Sequence, residues 1–189
     1  MIGSAAARCL GEETDSVALL GPEEPKQWST HNGVFSSHYD EGRITRIIDS
    51  NSHWSEFARS SINEYSYLEE KSGIRFFNSV GCLQGPQKKM PGKDWNALNE
   101  SALKHQVSHE ILGKDELQKR YPFFRFDDDK AILETETAGY INPRKLVQAQ
   151  NKIALEHGVQ QIKETALKLE KKGSQWNVLT DQGNLYLAN

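Results

Sequence analysis

Cysteine is scarce in this chain: Cys9 and Cys82 are the only two, and their separation and unlike surroundings exclude a disulfide framework. Long apolar runs are missing too. No stretch approaches the roughly 20 residues that span a bilayer. The opening MIGSAAARCLGEE lacks the charged start and apolar middle of a signal peptide. A soluble, cytoplasmic protein is expected, with a peroxisomal or mitochondrial address as the alternative in a eukaryote. Charge of one sign is also absent, since the net charge is -3 with acids and bases interspersed. Without a basic arm, neither nucleic acid nor an anionic membrane is an expected partner. A small molecule bearing phosphate stays open, because helix ends and single arginines bind phosphate without global basicity.

Several catalytic signatures are missing as well. There is no G-x-S-x-G elbow and no Cys/His signature, so Ser36, Ser37 and Cys82 are not read as nucleophiles. Cys82 follows Val80 and Gly81 in a strand-like run, where a small buried thiol is expected. His105 and His109 stand four apart, a chelating spacing on a helix, but no Cys, Asp or Glu set completes them. An exposed helix accounts for the pair, and no metal is expected. His31, His53 and His157 read as capping or surface residues. The acids of FDDDK are adjacent rather than alternating, which suits a solvated turn and not a calcium loop.

What is present is an alternation of helical and strand-like segments, with 37% hydrophobic residues, enough for a core. An opening helix, a loop at Gly11 and the compact SVALL form the second half of a β-α-β unit, with Pro22 and Pro25 ending the strand. DEGRITRII reads as a short turn or helix. Trp54, Phe57, Ala58, Ile62, Tyr65 and Leu68 recur at helical steps, predicting one buried face of a helix that ends near Gly73. RFFNSVGCL reads as a strand, QGPQKKMPGKD as a turn-rich connection, and the stretch from Trp95 to Arg125 as two short helices. KAILETETAGYI is strand-like. Asn142 caps a helix that begins at Pro143 and ends at Gly158, with Leu146, Val147, Gln150, Ile153 and Ala154 inward and Gln150 toward an edge. VQQIKE, ALKLEK and QWNVLT follow as strands, and DQGN turns the last into LYLAN. The expected class is α/β with α+β character.

Two segments carry chemistry. MIG matches the last three positions of a dinucleotide fingerprint, G-x-G-x-x-G, whose strand and first two glycines are then expected upstream of Met1. Such a fingerprint expects an acid about 20 residues on to bond a ribose hydroxyl, a window occupied by Glu23 and Glu24. The plainer alternative is an alanine-rich surface helix followed by a polar loop. In SSHYDEGRITRI, Arg43 and Arg46 are three apart, so one helical turn sends both guanidiniums to the same side. Fixed cations beside a redox ring stabilise its anionic reduced form, whereas Asp40 and Glu41 offer partners that would merely solvate a face.

Taken in order, IGSAAARCL with VALLGPEEP, SSHYDEGRITRI, FFNSVGCLQGP, and GYINPRKLVQAQNKIALEHGV running into ALKLEKKGSQWNVLTDQG resemble the FAD-dependent oxidoreductases of the D-amino-acid oxidase type, in the monomeric sarcosine oxidase and glycine oxidase branch. The resemblance covers nearly the whole chain as a fragment shortened at both ends. It implies an incomplete FAD/NAD(P)-binding Rossmann-like domain with part of an inserted antiparallel-sheet substrate domain. The expected division is residues 1–49 for the start of the FAD-binding domain, 50–138 for part of the substrate domain and 139–189 for the return. The resemblance further implies FAD as cofactor, with Gly3 and Ser4 near the pyrophosphate and Glu23 or Glu24 near the ribose. Ala166 would present its backbone to the adenine, while Arg43, Thr45 and Arg46 lie near the flavin. Arg43, His38 and Tyr39 are the catalytic candidates. Tyr39 stands where sarcosine oxidase-like relatives carry a histidine, and Gly21 where many carry the ribose acid, which points to a different substrate preference.

The implied reaction oxidises a C–N bond of an amino acid or N-methylated amine, such as a sarcosine-like substrate. A non-catalytic remnant and a nicotinamide-dependent dehydrogenase are the alternatives. Weak or absent FAD retention is expected of the isolated chain.

Overall fold

The computed structural model describes residues 1–33, 35–85, 95–126 and 129–189. Helix α1 (Ile2–Glu13) leads to strand β1 (Ala18–Leu20), and a 3-10 turn (Trp28–Thr30) precedes β2 (Arg43–Thr45). Helix α2 (Ser52–Ser72) is followed by β3 (Phe77–Asn78), β4 (Cys82–Gln84), α3 (Trp95–Lys104), β5 (His109–Gly113) and α4 (Lys114–Arg120). Strands β6 (Lys130–Glu134) and β7 (Gly139–Ile141) come next, then α5 (Pro143–Glu156), β8 (Gln160–Ile162), β9 (Ala166–Lys172), β10 (Gln175–Thr180) and β11 (Leu185–Ala188). Residues 86–94 of the expected turn-rich connection and two of the FDDDK acids, at 127 and 128, lie outside the described residues.

The chain forms two compact units, one of Met1–Tyr39 with Leu146–Asn189, the other of Asp40–Lys145. These borders differ from the 49/50 and 138/139 expected from sequence. The cause is strand pairing: β2 is hydrogen-bonded to β7, which draws residues 43–45 and 139–141 into the same unit.

In the first unit β1 pairs in parallel with β8, Ala18 opposite Gln160 and Leu20 opposite Ile162. Ala7, Ala154 and Val159 form the core beneath α1, with Val17 and Leu19 against it. Small residues let the backbones approach closely. A Cβ built on Gly11 would lie 2.5 Å from Val159 Cγ2, whereas one on Gly3 meets only Leu19 Cδ1, at 3.9 Å. Within α1 the closest backbone approach is therefore at Gly11. Asn142 caps α5 as expected, its side chain accepting from the Lys145 amide at 3.0 Å. Gln150 is not at an edge: it is buried and accepts from Arg8 Nε at 2.7 Å.

Strands β9, β10 and β11 make an antiparallel meander with β10 central and β9 and β11 at its edges, and the turn before β11 uses Gly183 at φ +80. A buried carboxylate ties the meander together. Glu164 accepts from the Thr180 hydroxyl at 2.5 Å, Asn184 Nδ2 at 2.9 Å and the Tyr186 hydroxyl at 3.0 Å. These hydrogen bonds, that from Thr180 foremost, hold its pKa below the ordinary value of 4.5. The lowered value places the stabilisation above the unfolded pKa and removes it as pH falls through the folded one. Acid titration followed by circular dichroism is expected to show the melting temperature dropping below about pH 4.5, and Glu164→Gln is expected to flatten that dependence.

In the second unit, two three-stranded antiparallel sheets are ordered β2-β7-β3 and β4-β6-β5. Helix α2 buries Ser55, Ile62, Tyr65, Leu68 and Ser72 and ends at Gly73. Trp54 and Phe57, expected on that face, are 64% and 66% exposed. The buried stripe is rotated toward the small residues Ser55 and Ser72, and Ser55 meets Ser101 of α3 through a hydroxyl pair at 3.1 Å. Three further expectations are corrected. RITRII is a strand followed by irregular chain that bends at Ile47, because Arg43, Ile44 and Thr45 pair with β7. RFFNSVGCL is two short strands separated at Gly81, whose φ is +80. KAILETETAGYI is likewise split between two sheets, as β6 and β7.

Candidate functional site

The first unit holds five of the expected cofactor residues. Helix α1 opens at exposed Ile2 and Gly3, and its first turn contains no acid. Its leading amides lack intrahelical acceptors, so this end suits an anion. Gly3 is exposed there, and Ser4 is buried with its hydroxyl donating to the Met1 carbonyl at 2.7 Å. Glu23 and Glu24 follow the end of β1. Glu23 is exposed and ion-paired with Lys163 at 2.5 Å, and that lysine's hydrogen bond and charge hold its pKa below the usual value. Glu24 is half-buried. Ala166 begins β9, an edge strand of the meander, opposite Thr180.

His38 and Tyr39 belong to an aromatic cluster in the same unit. Tyr39 is buried, with ring centroids of His38 at 4.8 Å, Phe35 at 6.2 Å and His31 at 6.4 Å, all edge to face. His31 is therefore part of a packed cluster rather than a plain surface residue.

The second unit holds Arg43, Thr45 and Arg46, and here the helical-turn reading is overturned. Arg43 lies in β2 and donates to both carboxylate oxygens of Asp40 through NH2 at 2.8 Å. Arg46 lies beyond the strand, donating from Nε to Gln84 Oε1 at 2.7 Å and from NH2 to Asp49 at 2.9 Å. The two guanidiniums thus have separate partners. Asp40 pairs with Arg43 as the charge pattern allowed, but Glu41 takes Arg144, at 3.1 Å. Thr45 shares a 3.1 Å hydrogen bond with the Tyr65 hydroxyl, and burial pushes that phenol's pKa up.

His105 and His109 do not share a helix: α3 ends at Lys104, and His109 begins β5. His105 is buried, and His109 Nδ1 lies 2.7 Å from the Val107 carbonyl. Among the described residues no group of His, Cys, Asp and Glu is arranged to hold a metal. No described helix is long and apolar enough to cross a membrane. Cys82 is half-buried, and burial raises its thiol pKa.

Sequence reasoning missed the buried polar residues Arg8, Glu134 and Glu164. Glu134 is fully buried and accepts from the amides of Ile47 and Ile48. Its signal was an acid at an inward strand position, beside the apolar Ala131 and Ile132. A groove of about 690 Å³ in the first unit is lined by Val17, Ala18, Ile162, Val178, Tyr186 and neighbours. None of the expected cofactor residues lines it.

A family profile described as FAD dependent oxidoreductase matches residues 1–188. The chain belongs to this FAD-dependent oxidoreductase family. No curated protein sequence matches it. Among solved structures, the open form of NikD, an amino acid oxidase of nikkomycin biosynthesis, aligns with a TM-score of 0.73 at 20% identity, covering 98% of this chain and 46% of NikD. Glycine oxidase from Geobacillus kaustophilus gives 0.70 at 16% identity, covering 96% and 49%. That from Bacillus cereus gives 0.67 at 17% identity, covering 97% and 51%. The likeness establishes the fold, a mixed α/β arrangement matching part of the flavoenzyme, and the chain spans about half the length of these structures.

FAD is the family's cofactor, which sets the nicotinamide alternative aside. Residues of the first unit are of types that suit the nucleotide half of that cofactor. An acid-free helix start suits a diphosphate, carboxylates at a strand end suit ribose hydroxyls, and the backbone of an outer strand suits a base edge.

Proposed function

We propose that this chain is the cofactor-holding part of a flavoenzyme that oxidises a C–N bond in an amino acid or N-methylated amine, a sarcosine-like compound being the type of substrate. The observation that carries the reading is the order α1, β1, acidic loop, with β1 paired in parallel to β8, in a chain that the family profile covers over residues 1–188. The bound flavin supplies two-electron acceptor chemistry, by which an amine becomes an imine that water hydrolyses.

The chain's own residues bind and tune. The amides opening α1, around Gly3 and Ser4, hold the diphosphate. Glu24 or Glu23 accepts from ribose hydroxyls, Glu23 being also ion-paired with Lys163. The Ala166 backbone meets the adenine from an edge strand of the meander. Arg43, Thr45 and Arg46 border the flavin ring, where fixed positive charge favours the anionic reduced form. His38 and Tyr39 orient the small substrate, the latter held rigid by the surrounding rings.

Titrating FAD into the purified chain while following flavin fluorescence tests this. Saturable binding with a dissociation constant on the order of 100 μM, about -5.5 kcal/mol, competed by ADP, is the expected result. No binding at millimolar FAD would overturn the assignment for this chain and leave the non-catalytic remnant. Anaerobic bleaching of the bound flavin by sarcosine, glycine or proline would then identify the substrate.

A further inference from the structure

The segment proposed to border the flavin is held by a residue far from it in sequence. Glu134 ends β6 and has no solvent exposure. Its two oxygens accept from the Ile47 amide at 2.9 and 3.1 Å, the Ile48 amide at 2.8 Å and the Thr137 hydroxyl at 2.7 Å. Every one of these partners, as placed, is a donor, so the position calls for a group that accepts on both oxygens, and only a carboxylate does so.

The surrounding contacts extend the same grip. Gln84, on β4 beside β6, accepts from Arg46 Nε at 2.7 Å and donates to the Ile48 carbonyl at 3.1 Å. Residues 46–48 are therefore fixed at one side chain, two amides and a carbonyl. Upstream, Arg43 to Thr45 are fixed by pairing with β7 and by Asp40 and Tyr65. A run of chain carrying two arginines is thus pinned from both ends. Packing alone does not need this: Ile47 and Ile48 are already buried apolar residues. Multiple charge-assisted hydrogen bonds to consecutive amides fix backbone direction, which is what a binding segment requires to present side chains at set positions.

We propose that Glu134 is the positioning residue for the Arg43–Arg46 segment, holding the backbone just beyond it so that Arg46 and Arg43 meet the flavin ring in a preset geometry. The proposal rests on the assignment of those residues to the flavin. Glu134→Gln keeps size but turns an amide NH2 toward an N–H or hydroxyl donor.

In the 189-residue chain this variant is expected to speed amide exchange at Ile47 and Ile48 about tenfold or more, with Leu112 and Ala131 exchanging as in the unaltered protein. The FAD dissociation constant is expected to rise about tenfold, with a shifted flavin absorption band. Should that variant not fold, Glu134→Asp keeps both acceptor oxygens but withdraws them by one methylene from the Ile47 and Ile48 amides, and the same local exchange and affinity changes are expected in smaller measure. Unchanged FAD affinity with faster local exchange overturns the proposal, as does unchanged exchange or exchange accelerated uniformly across the unit, the mark of a residue that only holds the fold. Absence of FAD binding by the unaltered chain is a different result: it removes the cofactor assignment first and this inference with it.

Discussion

Gly139→Ala is expected to destabilise the second unit by about 3 kcal/mol or more, the upper end of what overpacking costs. Gly139 opens the middle strand of the sheet β2-β7-β3. A Cβ there would stand 1.9 Å from the Asn78 carbonyl oxygen and 2.9 Å from the Val80 amide nitrogen. Both obstacles are backbone, so no rotamer change relieves them, and β3 must separate from β7. Thermal melting followed by circular dichroism should show the transition of that unit fall by about 12–24 °C. Gly21→Ala is the control: its Cβ meets nothing within 4 Å, and the melting temperature should hardly change. A Gly139→Ala protein that melts like the unaltered one would show that β3 and β7 are not packed this closely.

Arg8→Met is the second large effect, about 2–3 kcal/mol against the first unit. Arg8 is buried within α1, donating to Gln150 of α5 at 2.7 Å and to Glu12 at 3.1 Å. Removing it strips a charged donor from a buried amide oxygen, and leaving such an oxygen unsatisfied costs more than the bond contributed. Replacing both partners, Arg8→Met with Gln150→Leu, should recover much of the loss, because an apolar pair of similar shape asks for no hydrogen bond. Urea unfolding of the two single variants and the double would measure it. Purely additive losses would show that the two side chains do not depend on each other.

Local signals in the sequence located elements whose ends are chemically marked. Pro143 with Asn142 before it, Gly73 closing α2 and Gly183 in the last turn each sit where the backbone demands that residue type, and each was legible. Periodicity failed where burial depends on a distant partner. Trp54 and Phe57 look like core on a helical wheel, yet the face that is buried carries Ser55 and Ser72. RITRII lacks the alternation of a strand, and its conformation is fixed by β7, nearly a hundred positions on. The grouping of residues 43–45 and 139–141 in one unit likewise follows from that long-range pairing and from no local signal. Of the site, the fingerprint remnant, the acids after β1 and the paired arginines were visible as residue types. Glu134, which accepts from the amides just beyond the arginines, was not, since a glutamate in a strand looks solvent-facing until those amides are brought to it.

The first unit is stitched from the two extremes of the chain, with Arg8 and Gln150 separated by 142 positions. On the ribosome, α1 and β1 emerge long before the strand and helix that cover them. At about 5–20 residues per second, they wait some 7–28 s with their apolar sides uncovered. The intervening unit has every one of its strand partners by then and can fold in the interval. Nascent-chain stalling should find the helices and strands of this second unit resistant to protease while α1 is still cleaved, which makes that helix the natural handle for a chaperone.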